Sequence, residues 1–110
     1  MKYSVKTIPV FERQFKRLYK KYPSLKKDFS ELVKLLLENP QLQGTPLGKN
    51  CFKIRLAIAS KGKGKSGGAR VITNIVVTEK TVYLLTIYDK SERDNISDSE
   101  LKELLESIID

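Results

Sequence analysis

The apolar residues of this chain change their period once, and that change fixes the class of fold. Phe11, Phe15, Leu18, Tyr19 and Tyr22 fall on one stripe of a helix, and Leu25, Phe29, Leu32, Val33 and Leu36 repeat the stripe. From Cys51 the repeat is two. In "CFKIRLAI" the residues Phe52, Ile54, Leu56 and Ile58 share one side, and Cys51, Lys53, Arg55 and Ala57 share the other. One side reads as core and the other carries cations. Helical segments followed by a run of strands indicate an α+β domain rather than an alternating βαβ fold.

Punctuation supports this division. Pro9 suits the first turn of a helix, Pro23 ends that helix and lets Ser24 begin a second, and Asn39-Pro40 stops it. Before them "KYSVKTI" reads as a short strand. "NPQLQGTPLGKN" reads as a turn-laden connection. Beyond the first long strand, "ARVITNIVVT" and "TVYLLTIYD" are β-branched and aromatic runs joined tightly around Glu79-Lys80, which makes a three-stranded meander. "ISDSELKELLESIID" carries a helix start: Ser97 as N-cap, Glu100 three residues on, and Ile96 placed to staple against Leu101. The expected architecture is therefore a small antiparallel sheet, an N-terminal strand plus the meander. Two N-terminal helices pack on one face, a cationic cleft lies toward the other, and a C-terminal helix sits near the edge. The 110 residues fit one domain, 1–110.

Composition limits the function classes. No stretch approaches the ~20 apolar residues of a membrane span. The opening "MKYSVKTIPVFERQF" has neither a continuous apolar core nor a small-residue cleavage site, so the expected compartment is the cytoplasm. One cysteine, Cys51, excludes an intrachain disulfide, and a chain without histidine is a poor candidate for a zinc site. Neither a metal nor a small-molecule cofactor is expected.

Charge is the informative quantity. The formal net charge is +8, and residues 39–78 hold seven Lys/Arg and no acid, whereas the tail from Asp89 holds eight acids against three bases. A forty-residue acid-free block in so charged a chain calls for a polyanionic partner, because clustered cations bind phosphates strongly.

Within that block "ASKGKGKSGGARVI" matches A-x-x-x-x-G-K-S from Ala59 to Ser66, close to a phosphate-cradling loop. The context is wrong for one. Such a loop must lead into a helix whose N-terminus faces the phosphates, but here Gly67-Gly68 leads into Val71-Ile72, which favours a strand. The stretch reads instead as a cationic hairpin tip, with Lys61, Lys63 and Lys65 on glycine hinges that allow close approach to a phosphodiester chain.

Together with the order of elements, "KIRLA", "GKSGGARVI", "YLLTIYDKSERDNIS" and the closing "ELKELL" resemble the RelE/ParE superfamily of bacterial toxins from toxin–antitoxin pairs, with RelE/HigB the nearest flavour. The resemblance covers essentially the whole chain and is most specific from Lys49 to Ser97. It implies a metal-independent ribonuclease that enters the ribosomal aminoacyl site, cuts messenger RNA there, and is held inactive by a cognate antitoxin. The same scaffold read as ParE-like implies a DNA gyrase poison, and a non-catalytic RNA-binding module is a third reading.

Cleavage of RNA by its own 2′-hydroxyl needs a base, an acid and positive charge at the phosphorus. Without histidine these tasks fall to Lys, Arg, Tyr and carboxylates. Lys53 and Arg55 project to the same non-core side of their strand. The resemblance assigns the Arg of "G-x-R-V", here Arg70, to the scissile phosphate, as the stabiliser of transition-state charge. Lys53 is then the candidate base or phosphate anchor, with Arg55 beside it, and Tyr88 the candidate for stacking or proton transfer. Lys49, Lys61, Lys63, Lys65, Lys90 and Arg93 are candidate RNA contacts. Lys16, Lys20, Lys26, Lys27 and Lys34 fit contacts to ribosomal RNA or an ordinary wet helix surface.

Overall fold

Pro9 occupies the first position of helix α1 (Pro9–Lys21), where its missing N–H costs nothing and its fixed φ favours the turn. This computed structural model describes residues 2–61, 67–93 and 95–108. The chain runs β1 (Ser4–Thr7), α1, α2 (Leu25–Glu38), β2 (Thr45–Gly48), β3 (Cys51–Leu56), β4 (Ala69–Val76), β5 (Thr81–Asp89) and α3 (Asp98–Glu106), with single 3₁₀ turns at Pro40–Leu42, Ala59–Lys61 and Val77–Glu79. The expected α+β class and the order of its helices and meander strands are those observed.

Two features of the sheet go beyond the sequence reading. It has five strands in the order β1-β5-β4-β3-β2, and β1 pairs with β5 in parallel while every other pairing is antiparallel. The extra strand, β2, comes from the stretch read as a connection. Thr45 pairs with Lys53 and Pro46 with Phe52, and the register then slips before Gly48 meets Cys51. Pro46 is tolerated because β2 lies at the sheet edge, where a missing ladder N–H faces no partner. Lys49 and Asn50, both at positive φ, close the β2–β3 hairpin. A two-residue connection with φ > 0 at both positions matches the twist of paired strands, and Asn tolerates that conformation better than most residues.

Both faces of the sheet are covered. Every residue of β4 from Ala69 to Ile75 is buried, as is nearly all of β5, which is why these runs read as continuous apolar stretches rather than alternating ones. Helices α1 and α2 supply Phe11, Leu18, Leu25, Leu32 and Leu36 to one layer, against Ile54, Leu56 and the middle strands. Helix α3 lies against β5 and contributes Leu101 and Leu104. Cys51, expected on the cationic side, is fully buried. That burial, the main influence, pushes its thiol above the usual range, as befits a packed residue rather than a nucleophile.

Where β1 stops short, α1 closes the exposed margin of β5. The Gln14 side-chain oxygen accepts from the Ile87 N–H at 3.1 Å and from the Thr86 hydroxyl at 2.5 Å, a substitute for the ladder bonds that β1 would have supplied. Nothing in the sequence marked Gln14 for this task.

Candidate nucleic-acid interface

Register in the meander decides which cations meet. Arg55 on β3 stands directly opposite Arg70 on β4, and Arg70 stands directly opposite Tyr88 on β5. Directly paired residues project to the same side with Cβ atoms about 5 Å apart. Arg55, Arg70 and Tyr88 therefore form one row across three strands, at the end of the sheet from which the Gly/Lys-rich stretch leaves β3 and returns to β4. Lys53, two residues from Arg55, projects to the same side one row further in. The four residues proposed for catalysis are brought together.

They are not equally accessible. Arg55 is exposed and Lys53 half-buried, whereas Arg70 and Tyr88 are each only 3 % exposed. Two arginines directly opposite each other cost up to about 1 kcal/mol in a sheet.

The segment after β5 folds across this row. The Arg93 guanidinium lies 4.9 Å from the centroid of the Tyr88 ring. Its nitrogens donate to both Glu100 carboxylate oxygens, at 2.8 and 2.5 Å, and to the Asn95 carbonyl at 2.9 Å. The bidentate bond holds the Glu100 carboxyl below its usual range and raises the guanidinium further. Lys53 Nζ donates to Asn95 Oδ1 at 2.8 Å. Ser97 caps α3 as expected, its hydroxyl accepting from the Glu100 N–H at 3.1 Å. The Glu100 side chain does not complete a capping box: Arg93 offers a charged fork that outcompetes one neutral N–H.

Below this layer lies a second assembly, which the sequence reading missed. Asp89, at the end of β5, has a fully buried side chain, and Lys61 Nζ reaches it at 2.6 Å from a side chain 7 % exposed. Tyr22 donates its hydroxyl to the other oxygen at 2.9 Å, and Ser91 donates both N–H and hydroxyl. Burial alone would raise the Asp89 carboxyl; these donors, led by Lys61, outweigh it and hold the group far below the usual carboxylate range. Lys61, expected as a mobile cation for RNA, is thus a buried ion-pair partner that also sits 5.3 Å from the Tyr22 ring centroid. The clue in the sequence was Asp89 itself, the first acid after the cation-rich block apart from Glu79.

The remaining expected contacts divide by position. Lys90 stands at the same end of the sheet, its N–H donating to the Gly68 carbonyl at 3.0 Å. Lys49 is exposed in the β2–β3 turn at the other end of β3, about 20 Å from Arg55 at ~3.4 Å per residue. Lys63 and Lys65 lie outside the described residues. Beside the row, Lys53 and Arg55 line one wall of a groove of about 650 Å³ whose other wall carries Asp28 and Glu31 of α2. Among the described residues no group of His, Cys, Asp and Glu could hold a metal ion, and no helix is long and apolar enough to cross a membrane.

Comparison with known proteins bears on family and fold. A family model described as the RelE toxin of the RelE/RelB toxin–antitoxin system matches residues 9–108. Among solved structures, a mutant of the E. coli toxin RelE in the free state superposes with a TM-score of 0.63 at 15 % identity, covering 99 % of this chain and 100 % of that one. The RelBE2 toxin–antitoxin complex from Mycobacterium tuberculosis gives 0.61 at 20 % identity, covering 81 % and 92 %. Isolated E. coli RelE gives 0.60 at 15 %, covering 97 % and 99 %. At these identities the structural likeness speaks to the fold, and the family match to ancestry.

Proposed function

The chain belongs to the RelE family, toxins of toxin–antitoxin systems, and on that premise we propose that it is an endoribonuclease that cuts messenger RNA in the ribosomal aminoacyl site in the cytoplasm until a cognate antitoxin neutralises it. The observation that carries this reading is the cross-strand row of Arg55, Arg70 and Tyr88 with Lys53 beside it.

In this reading the message is bent over the end of the sheet. Lys53 takes the proton of the ribose 2′-hydroxyl or anchors the phosphate with Arg55. The 2′-oxygen attacks phosphorus, a 2′,3′-cyclic phosphate forms, and the bond to the 5′-oxygen breaks as that oxygen receives a proton. Arg70 neutralises the charge that builds on the phosphoryl oxygens, where a preorganised cation is most effective. Tyr88 stacks on a base or supplies the proton. Lys90 holds the flanking backbone, together with Lys63 and Lys65, while Lys49 reaches RNA more distant from the cut. The burial of Arg70 and Tyr88 makes displacement of the segment carrying Arg93 and Asn95 part of substrate entry.

The test uses purified protein and ribosomes programmed with a defined message. Wild type cuts the message at the codon in the aminoacyl site, and Arg70→Ala lowers the rate about 10²–10³-fold with an unchanged melting curve. Message left intact by wild type while gyrase supercoiling is blocked would transfer the chain to the gyrase-poison class, and RNA binding without cleavage to the binding-module class.

A further inference from the structure

The Arg93 guanidinium has its donors committed. Two nitrogens reach the Glu100 carboxylate oxygens at 2.8 and 2.5 Å, and two donate to the Asn95 carbonyl at 2.9 and 3.2 Å. Lys53 Nζ donates to the Asn95 side chain at 2.8 Å. Two of the candidate RNA contacts are therefore capped by oxygens from one short segment, Asn95 to Glu100, at the margin of the row formed by Arg55, Arg70 and Tyr88. The caps differ in kind. Asn95 offers Lys53 a neutral amide oxygen. Glu100 offers Arg93 two charged oxygens in a fork, the arrangement that the two non-bridging oxygens of a phosphodiester also present to a guanidinium.

We propose that Glu100 is an internal stand-in for an RNA phosphate: it occupies Arg93 in the free chain and yields that guanidinium to the backbone of the incoming RNA. The inference rests on the RNA-cleaving reading and names how the same site is kept closed. Three observations make the exchange feasible. Arg93 and Glu100 are 35 % and 38 % exposed, so an incoming anion reaches the pair without unfolding the chain. Among the described residues, Arg93 is the only side chain bonded to the Glu100 carboxylate, so its release breaks no further ion pair. The start of α3 does not depend on the pair, because the Glu100 N–H is held by the Ser97 hydroxyl at 3.1 Å. A released carboxylate has a place to go. The Ser-x-x-Glu spacing offers the Ser97 N–H as an alternative partner, in a first turn where the helix dipole favours an anion. Exchanging one anion for the other keeps Arg93 paired throughout, whereas RNA bound with Glu100 in place would set a phosphate beside a carboxylate. Because the same guanidinium lies 4.9 Å from the centroid of the Tyr88 ring, its transfer to RNA also moves the cover of the row.

The experiment measures binding of the full-length chain to a fluorescent single-stranded RNA bearing 2′-O-methyl groups, which cannot be cut through the 2′-hydroxyl. Glu100→Gln binds it about threefold to fivefold more tightly than wild type, the range that an exposed ion pair supports, and the gain disappears in the Arg93→Ala background. Glu103→Gln, at an exposed position of the same helix, leaves affinity close to that of wild type, which separates exchange at Arg93 from a change in net charge. When RNA binds the wild type, the amide resonances from Ser97 to Leu101 move toward their positions in free Glu100→Gln. Affinity unchanged or weakened by Glu100→Gln overturns the proposal and makes Glu100 a residue that holds Arg93 in place for RNA. An equal gain from Glu103→Gln, or a gain that persists without Arg93, overturns it as well. Tighter binding by Glu100→Gln in a chain that leaves messages on programmed ribosomes intact keeps the exchange and removes only the nuclease reading. Cleavage of those messages with no gain in Glu100→Gln does the reverse.

Discussion

Arg93 lies with its guanidinium 4.9 Å from the centre of the Tyr88 ring while the same group forks onto Glu100 at 2.5 and 2.8 Å. One side chain thus ties the end of the sheet to the first turn of α3. Both members of the ion pair are about one-third exposed, so solvent screening limits the pair to roughly 0.5–1 kcal/mol of stability. Its larger effect is positional. Glu100→Gln is expected to lower stability by no more than about 1 kcal/mol and to increase amide exchange from Arg93 to Ser97. The Tyr88 ring resonances should shift in the direction seen with Arg93→Ala. Tyr88 resonances unaltered in both variants would dissociate the stacking from the ion pair.

Arg55 and Arg70 face each other across β3 and β4, an arrangement that stability alone disfavours. Arg55→Ala should therefore leave stability unchanged or raise it by up to about 1 kcal/mol. The same variant should weaken binding to single-stranded RNA and reduce the slope of log affinity against log salt by about 1. The measurements are a urea melt and a salt titration on one protein. A marked loss of stability, with RNA affinity preserved, would make Arg55 a structural residue.

Asp89 links α1, the Gly/Lys-rich stretch and the strand end through Tyr22, Lys61 and Ser91. Its folded-state ionisation lies below that of the unfolded chain, so the assembly contributes fully above about pH 5 and its contribution falls as pH drops through and below the ordinary carboxylate value near ~4. Asp89→Asn leaves the Lys61 ammonium buried beside a neutral amide, at a cost of about 3–5 kcal/mol. Such a loss lowers the melting temperature by 10 °C or more in a domain of this size. The variant should also lose most of the acid sensitivity that wild type shows between pH 5 and 3. Parallel pH profiles for the two proteins would remove Asp89 from this role.

How far the sequence revealed this arrangement depends on the range of each interaction. Lys53 and Arg55 were legible as a pair because two-residue alternation is a local property, whereas Arg70 was singled out by the resemblance, since residues 57–68 separate β3 from β4 and hide their register. Tyr88 likewise came from the resemblance rather than from periodicity. The parallel pairing of β1 with β5 was not legible, since Ser4–Thr7 carries no signal of which strand it will join. β2 was concealed because Thr45-Pro46-Leu47-Gly48 contains two residues that oppose strands in general and are permitted at an edge. Lys61 was misread for a similar reason: its partner lies 28 residues away and Tyr22 another 39 in the opposite direction, so only the folded chain shows the charge to be spent.

Gly44 and Gly48 offer a test of how β2 is positioned against Lys53. Both have φ near +90°, a conformation that costs an L side chain about 1–2 kcal/mol. They differ in surroundings. A Cβ on Gly48 would meet nothing within 4 Å, whereas one on Gly44 would lie 2.4 Å from the Lys53 carbonyl oxygen and 2.8 Å from Ile54 Cγ1. The backbone oxygen cannot rotate aside, so the β3 strand or the approach to β2 must move. Gly48→Ala should therefore cost about 1–2 kcal/mol and leave RNA affinity unchanged. Gly44→Ala adds the steric displacement and should cost about 3 kcal/mol or more. It should also weaken RNA binding, because the atom it strikes belongs to the residue whose ammonium contacts Asn95 at the cationic row. Equal losses of stability in the two variants, measured by chemical denaturation, would mean that the close approach at Gly44 does not hold β2 to β3 and that Lys53 is positioned by its own strand alone.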